Sequence, residues 1–406
     1  MSEPAAALHP RVRDWLGPDA TKPTLGVEHL GDPAEVTERI RPWWAALGIT
    51  RLADVTGLDV VGIPVATCYR PNARTLSVAQ GKGVTADAAR ASAVMEAVEF
   101  AHAERPPTRQ YWATLEQLAA QGHRMTDPDR LPRLAGTRTA SDRPLAWVDG
   151  TSLRDGASCA VPAAVVHLDH TRRWRGPAAV LECSSNGLAA GSSRAEAVLH
   201  ALCELVERDA VARWEASRDA ACSIDLTAVT DAACRELLAR LTTAELVVSA
   251  VEVGVRGGPP VVVARIAAAR PDPFRPLAPA GGVGCHLDGA TALRRALTEA
   301  AQTRLIDIAG VRDDLDDEHY ASLEDVTEAT ASGALAGSAP GGDRLERSMA
   351  TATMHGDVAA VLGMLATAGI DPIVVDLTDP KIGIPVVKVV APGLAGLPAM
   401  LTGRAA

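Results

Sequence analysis

Glu96 and Glu99 lie thirteen and sixteen residues after Gly83, and Glu204 and Glu207 lie thirteen and sixteen residues after Gly191. A third segment, counted from Gly289, brings Glu299 at ten, Gln302 at thirteen and Arg304 beyond, with Leu305 where the first two carry their second glutamate. Position nine is polar in each: Ser92, His200 and Thr298. On a helix the spacing i, i+4, i+7 aligns Ser92, Glu96 and Glu99 in one stripe, and Glu196, His200, Glu204 and Glu207 form a longer one. Like charges three apart destabilise a helix by roughly 0.2–0.5 kcal/mol. Two such pairs facing each other would repel further unless a cation sat between them. Magnesium, a hard ion that takes carboxylate, phosphate and water oxygens, suits that place.

A plainer origin exists for each residue. Glutamates three apart also make an ordinary solvated helix face. Ser193-Arg-Ala-Glu196 matches a capping box, in which Glu196 only helps to start its helix. Glu207 has Arg208 beside it as a partner. Repetition at an equal distance from a glycine favours the metal reading, but spacing alone does not separate the two. Gly81-Lys82-Gly83 could bring a cation and backbone amides to phosphate, although it lacks the spacing of a P-loop. His167-Leu-Asp169-His170 lacks a third matched ligand and reads as a loop, and Gly281-Gly-Val-Gly284 reads as a tight turn.

The elements that must position these residues follow from periodicity and capping. Helices are expected over residues 34–47 (opened by Asp32 and Pro33), 86–102, 195–216, 290–309 and 357–368. Strands are expected over 60–69 and 74–79 as a hairpin, then at 145–148, 159–166, the approach to Asn186, 246–255, 259–268, 373–376 and 385–390. Residues 103–145 read as proline- and charge-rich with short helical pieces, and 311–345 as a mobile surface excursion. Helices mixed with strands throughout predict an α/β (mixed α+β) protein.

Composition narrows the class. The chain has 406 residues, two Phe, three Tyr and a formal net charge of -10. Its core must be packed from small aliphatic side chains, and the acidity argues against a nucleic-acid or anionic-membrane binder. It does not exclude a nucleotide, since a divalent cation can link carboxylates to phosphates. The seven cysteines contain no C-x-x-C pair and read as reduced thiols. No signal peptide or long apolar run is visible, so a soluble cytoplasmic protein is expected.

At the glutamate helices the sequence resembles the YcaO family. The matching stretches are Gln80-Gly-Lys-Gly83 leading into Ser92-x-x-x-Glu96-x-x-Glu99, Ser185-Asn-Gly-Leu-Ala-Ala-Gly191 leading into Glu196 and Glu204-Leu-Val-Glu207-Arg208, and Glu299-Ala-Ala-Gln302-Thr-Arg304. Phe100 departs from the pattern, where the family often has Arg. The resemblance implies an ATP site built from helices, with magnesium on Glu96, Glu99, Glu204 and Glu207 and with Glu196 nearby. It further implies that Lys82, Ser92, Arg208, Gln302 and Arg304 contact phosphates or nucleotide, with Arg208 and Arg304 as the catalytic cations. The implied chemistry is attack of a nucleophile on a peptide carbonyl with phosphorylation of the amide oxygen by ATP, after which phosphate departs.

The outcome of that chemistry is read as follows. Sulfide would give a thioamide; a neighbouring side chain would give an azoline. Leu52-Ala-Asp-Val-Thr-Gly-Leu-Asp59, Ile63-Pro64 and Arg70-Pro-Asn72 look like the branch associated with TfuA partners. The chain ends Leu401-Thr-Gly-Arg-Ala-Ala406 without the proline-rich tail usual in azoline-forming relatives. Thioamidation with a TfuA-like partner protein and a sulfur donor is therefore expected, with azoline cyclodehydration and a catalytically silent scaffold as the alternatives. Residues 1–55 are expected to form an N-terminal extension with one helix, too short to recognise a leader peptide alone, and 56–406 the catalytic domain. A homodimer is a further option.

Overall fold

Several helices begin where the sequence supplies a capping oxygen. The computed structural model describes residues 7–106, 109–133, 142–171, 181–217, 221–253, 258–270, 277–310, 345 and 347–396. Its helices are α1 (Pro10–Leu16), α2 (Pro33–Ile40), α3 (Trp44–Leu47), α4 (Ala86–Glu104), α5 (Leu115–Ala120), α6 (Arg194–Ser217), α7 (Ala232–Thr243), α8 (Gly289–Ala309) and α9 (Met354–Thr367). Asp32 caps α2, Thr114 caps α5, Asp231 caps α7, Asp288 caps α8 and Thr353 caps α9, each through a side-chain oxygen that accepts a first-turn N–H. The expected helix over 34–47 is divided: Pro42 has no N–H to donate, and Arg41–Trp43 tighten into a 3-10 turn between α2 and α3.

The strands are β1 (Arg51–Asp54), β2 (Val65–Tyr69), β3 (Val78–Lys82), β4 (Tyr111–Ala113), β5 (Leu145–Ser152), β6 (Ser158–Pro162), β7 (Leu188–Ala190), β8 (Ala221–Ser223), β9 (Leu246–Val253), β10 (Val261–Ala268), β11 (Ala280–Cys285), β12 (Ile373–Asp376) and β13 (Val386–Val390). They pair antiparallel in three sheets. The chain divides into two units, one of residues 1–30, 98–212 and 350–402, the other of 31–97, 213–349 and 403–406. The expected division after residue 55 falls inside the second of these units.

The first unit holds the sheet ordered β4-β5-β12-β13-β7, with β6 also paired to β5. Its interior strands carry wholly buried aliphatics, among them Val374, Val375, Val386, Val387 and Val389. The second unit holds two sheets, β1-β2-β3 and β11-β10-β9-β8. The expected hairpin is present as β2 and β3, shifted towards Lys82, and β1 was not foreseen. A core of Ile63, Leu237, Leu241, Val262, Ile266, Leu293, Leu297 and Ala300 joins α7 and α8 to the four-stranded sheet.

Gly281-Gly-Val-Gly284, expected as a turn, is strand β11. Gly282 and Gly284 serve close approach instead. A Cβ on Gly282 would meet Ala296 O and Ala300 N at 2.2 Å, so α8 rests directly on the strand backbone. The excursion expected over 311–345 lies outside the described residues, except Leu345.

Candidate functional site

In the second unit, β3 runs into α4, and the Glu96 carboxylate reaches back to accept the backbone N–H of Gln80. β11 runs into α8 in the same way, with Glu299 Oε1 accepting from Val283 N at 3.4 Å. The second oxygen of Glu299 is paired with Lys82 Nζ. The two strand–helix units share their close contacts. A Cβ on Gly81 would meet Ala89 O at 2.1 Å and Ala93 N at 2.1 Å, and one on Gly284 would meet Ala292 O at 2.1 Å and Ala296 N at 2.8 Å.

These contacts correct the register of the third segment. Gly284 stands where Gly81 stands, so His286, not Gly289, matches Gly83. Glu299 therefore matches Glu96, and Gln302 matches Glu99. Ser92 and Gln302 are half-buried on their helices. Arg304 is held by Asp59 through Nε–Oδ2 at 2.9 Å and Nη2–Oδ1 at 3.3 Å.

The first unit gathers its own carboxylates around β7. Glu99 Oε1 accepts from Ala190 N at 2.7 Å, and Glu204 Oε2 accepts from Gly187 N at 3.1 Å. Arg208 spans Glu204 and Glu207, with both ion pairs at 3.4 Å. Glu207 is buried, 3% exposed. A Cβ on Gly191 would meet Ala197 N at 2.6 Å and the Glu196 side chain, which repeats the closeness of Gly83 to Ala88 and Ala89. That repeat fits the Gly83 and Gly191 register read from the sequence.

Glu196 does not complete a capping box. Ser193 Oγ accepts from Glu196 N at 3.1 Å, but the carboxylate turns instead to His29 Nδ1 at 3.0 Å and Leu30 N at 3.3 Å. Phe100, at the position expected to lack a basic contact, is buried. The His167–His170 segment is a loop as expected. His167 pairs with Gln110, and Asp169 Oδ1 accepts from Thr171 N at 3.0 Å.

Two residues of the first unit escaped the sequence reading. Asn186 is 7% exposed, and both its side-chain Oδ1 and Nδ2 are buried without a hydrogen-bond partner. Lys388, on β13, is 4% exposed and donates to Ser184 O at 2.6 Å. Burial pulls the Lys388 pKa down to about 8 against the opposing pull of Glu204 and then of Cys183 and Glu182. A signal existed for each: Asn186 precedes a glycine inside the Ser185–Gly191 stretch, and Lys388 is a lone charge within Val386-Val-Lys-Val-Val390.

Repulsion between the carboxylates is thus relieved by N–H groups, Lys82 and Arg208. Among the described residues no group of three or more His, Cys, Asp or Glu could hold a metal ion unaided. Magnesium does not require such a cage, because it typically takes one or two carboxylates together with phosphate oxygens and water. Glu204 and Glu207, in the first unit, are carboxylates of that kind. The buried amide of Asn186 offers a donor and an acceptor to a polar ligand.

A family model described as YcaO cyclodehydratase, ATP- and Mg2+-binding, matches residues 80–395. The chain belongs to the YcaO family. An uncharacterised protein in the tfuA 3' region of Rhizobium leguminosarum bv. trifolii is 38% identical, covering 94% of this chain and 93% of its own length. An uncharacterised protein of Methanothermobacter thermautotrophicus is 32% identical over 93% of this chain and 95% of its own.

Among solved structures, YcaO from Methanopyrus kandleri bound with AMPPCP and Mg2+ has a TM-score of 0.69 at 27% identity, covering 91% of this chain and 93% of that one. A heterocyclase in complex with substrate and cofactor has a TM-score of 0.76 at 20% identity. The match covers 93% of this chain but 54% of that heterocyclase, so that likeness concerns the fold. The mixed α/β fold expected from the sequence is thus the YcaO fold. ATP and Mg2+ are the cofactors of this family of ATP-dependent peptide-modifying enzymes. Among the described residues no helix is long and apolar enough to cross a membrane.

Proposed function

We propose that this YcaO protein activates a peptide backbone amide by ATP- and Mg2+-dependent O-phosphorylation and that the product is a thioamide, formed with a TfuA-like partner and a sulfur donor. What supports the activation reading is the set of carboxylates Glu96, Glu99, Glu204 and Glu207 on α4 and α6, each aimed at a backbone N–H or a cation that a metal and phosphate could take over. What supports thioamidation is the 38% identical relative in the tfuA 3' region.

In this proposal Glu96, Glu99, Glu204 and Glu207 are the magnesium ligands. Lys82, Ser92, Glu196 and Gln302 contact nucleotide, and Arg208 and Arg304 are the catalytic cations. Glu196 and Arg304 take part with His29 and Asp59 already attached to them. Bound nucleotide would supply the phosphoryl group that turns the amide oxygen, a very poor leaving group, into a good one, and the metal would neutralise charge during the transfer. The chain's own part is orientation and charge. The glutamates fix the cation, while Arg208, released from Glu204, offsets charge on the transferring group. Residues 56–406 are proposed as the catalytic domain.

The test is mass spectrometry of candidate peptides incubated with the protein, ATP, magnesium, a sulfide source and the TfuA-like partner. Exchange of one oxygen for sulfur, with ATP consumed, is the expected outcome. Loss of water would transfer the assignment to azoline formation. Absence of ATP turnover under all of these conditions would leave the scaffold reading in its place.

A further inference from the structure

Lys388 is the charged residue of β13, a strand lying between β12 and β7 in the interior of its sheet. Its ammonium donates to Ser184 O at 2.6 Å. The same loop is fastened to the same strand a few residues later, where Val389 N donates to Gly187 O at 2.7 Å. Gly187 has φ +74°, and a Cβ there would meet Val389 O at 2.3 Å, so the chain is pressed flat against β13. Gly187 N then donates to Glu204 Oε2 at 3.1 Å. Between these two fastenings lies Asn186, with its buried and unpartnered amide.

A buried ammonium is costly unless it is paired, and a replacement by an apolar chain of similar length would pack as well. Its presence here is explained by what it holds. We propose that Lys388 is a positioning residue for the nucleotide and magnesium site, fixing the 184–187 loop so that Asn186 and the carboxylate of Glu204 present their polar atoms to the ligand. The inference rests on the reading of Glu204 as a magnesium ligand and adds the group that sets its place. Lys388 itself touches neither metal nor substrate in this scheme.

The experiment is calorimetric binding of a non-hydrolysable ATP analogue across a magnesium titration, on the full chain and on Lys388→Met, Lys388→Arg, Glu204→Gln and the Lys388→Met/Glu204→Gln double variant. Thermal unfolding without nucleotide is measured beside it. Lys388→Met is expected to unfold at a midpoint close to that of the parent while losing about 10- to 100-fold in magnesium-dependent affinity, the usual effect of removing an outer-shell support. The double variant should lose less than the two single losses combined, because part of the Lys388 effect passes through that carboxylate.

Parent-like affinity in Lys388→Met, with binding lost in Glu204→Gln, overturns the positioning role and leaves the metal reading intact. Parent-like affinity in Glu204→Gln overturns the metal reading beneath it. Should Lys388→Met fail to fold, Lys388→Arg decides. It keeps the charge but cannot sit on Ser184 O in the same way, so half-saturation by magnesium should rise severalfold at an unchanged unfolding midpoint. Unchanged half-saturation overturns the proposal.

Discussion

Glu96 and Glu299 occupy the same place in two copies of one strand–helix unit, each carboxylate accepting the N–H of the residue sixteen positions before it, Gln80 and Val283. The match extends to Gly81 and Gly284, which bring α4 and α8 against their strands at the same spacing. Glu299 additionally holds Lys82. Under the proposed function, a carboxylate kept in a repeated position with a cation as its partner would exchange that cation for a metal.

Glu299→Gln should therefore weaken magnesium-dependent nucleotide binding about as much as Glu96→Gln. The amide can keep the hydrogen bond to the strand but removes the charge, and with it the ion pair to Lys82. Binding of an ATP analogue by calorimetry, with and without magnesium, reads the effect directly. A Glu299→Gln protein that binds as the parent does, beside a defective Glu96→Gln, would show that the shared register is structural inheritance alone.

The glycines permit a graded stability test. Ala at Gly81 places a methyl 2.1 Å from Ala89 O, and Ala at Gly284 places one 2.1 Å from Ala292 O. Both obstacles are helix backbone, which cannot rotate away, so roughly 1–3 kcal/mol of destabilisation or more is expected at each. Gly281 is the control, because a Cβ there meets only Ala264 O at 3.9 Å. Gly281→Ala should be neutral or slightly stabilising through the unfolded chain. Urea unfolding of the three variants distinguishes the cases. Equal midpoints for Gly81→Ala and Gly281→Ala would refute the close-approach argument.

What the sequence revealed, and what it hid, follows from how local each signal is. Asp32 before Pro33 marked the start of α2, and the equal spacing of Glu96 and Glu204 from Gly83 and Gly191 reflects repeated strand–helix contacts. Counting the third segment from Gly289 failed because that glycine is the first residue of α8, while the matching loop position is His286. A search anchored on glycines could not find a histidine. Gly281–Gly284 looked like a turn because glycine is read first as flexibility, yet here it makes room for a helix. Arg304 finds Asp59 at a separation of 245 residues, and Glu196 finds His29 at 167, distances at which no spacing rule operates.

Asp288 caps α8 and so fixes the start of the helix that carries Glu299. Its Oδ1 accepts from Thr291 N at 2.9 Å and from Thr291 Oγ1 at 2.9 Å. Burial pushes its pKa up, but the hydrogen bonds from Thr291 and Ser348, with the charge of His286, outweigh burial and leave the carboxyl below its ordinary value. Protons therefore bind the unfolded chain more readily than the folded one at this group. Its contribution is complete above the ordinary aspartate pKa of about 3.9 and is lost as pH falls through the lower folded value. Asp288→Asn keeps a capping oxygen and removes the titration, and Asp288→Ala removes both at about 1 kcal/mol near neutrality. Unfolding free energies measured from neutral pH into acid should show the advantage of the parent over Asp288→Asn shrinking below about pH 4. A difference between the two that stays constant over that range would mean that the carboxylate of Asp288 carries no charge-dependent share of the cap.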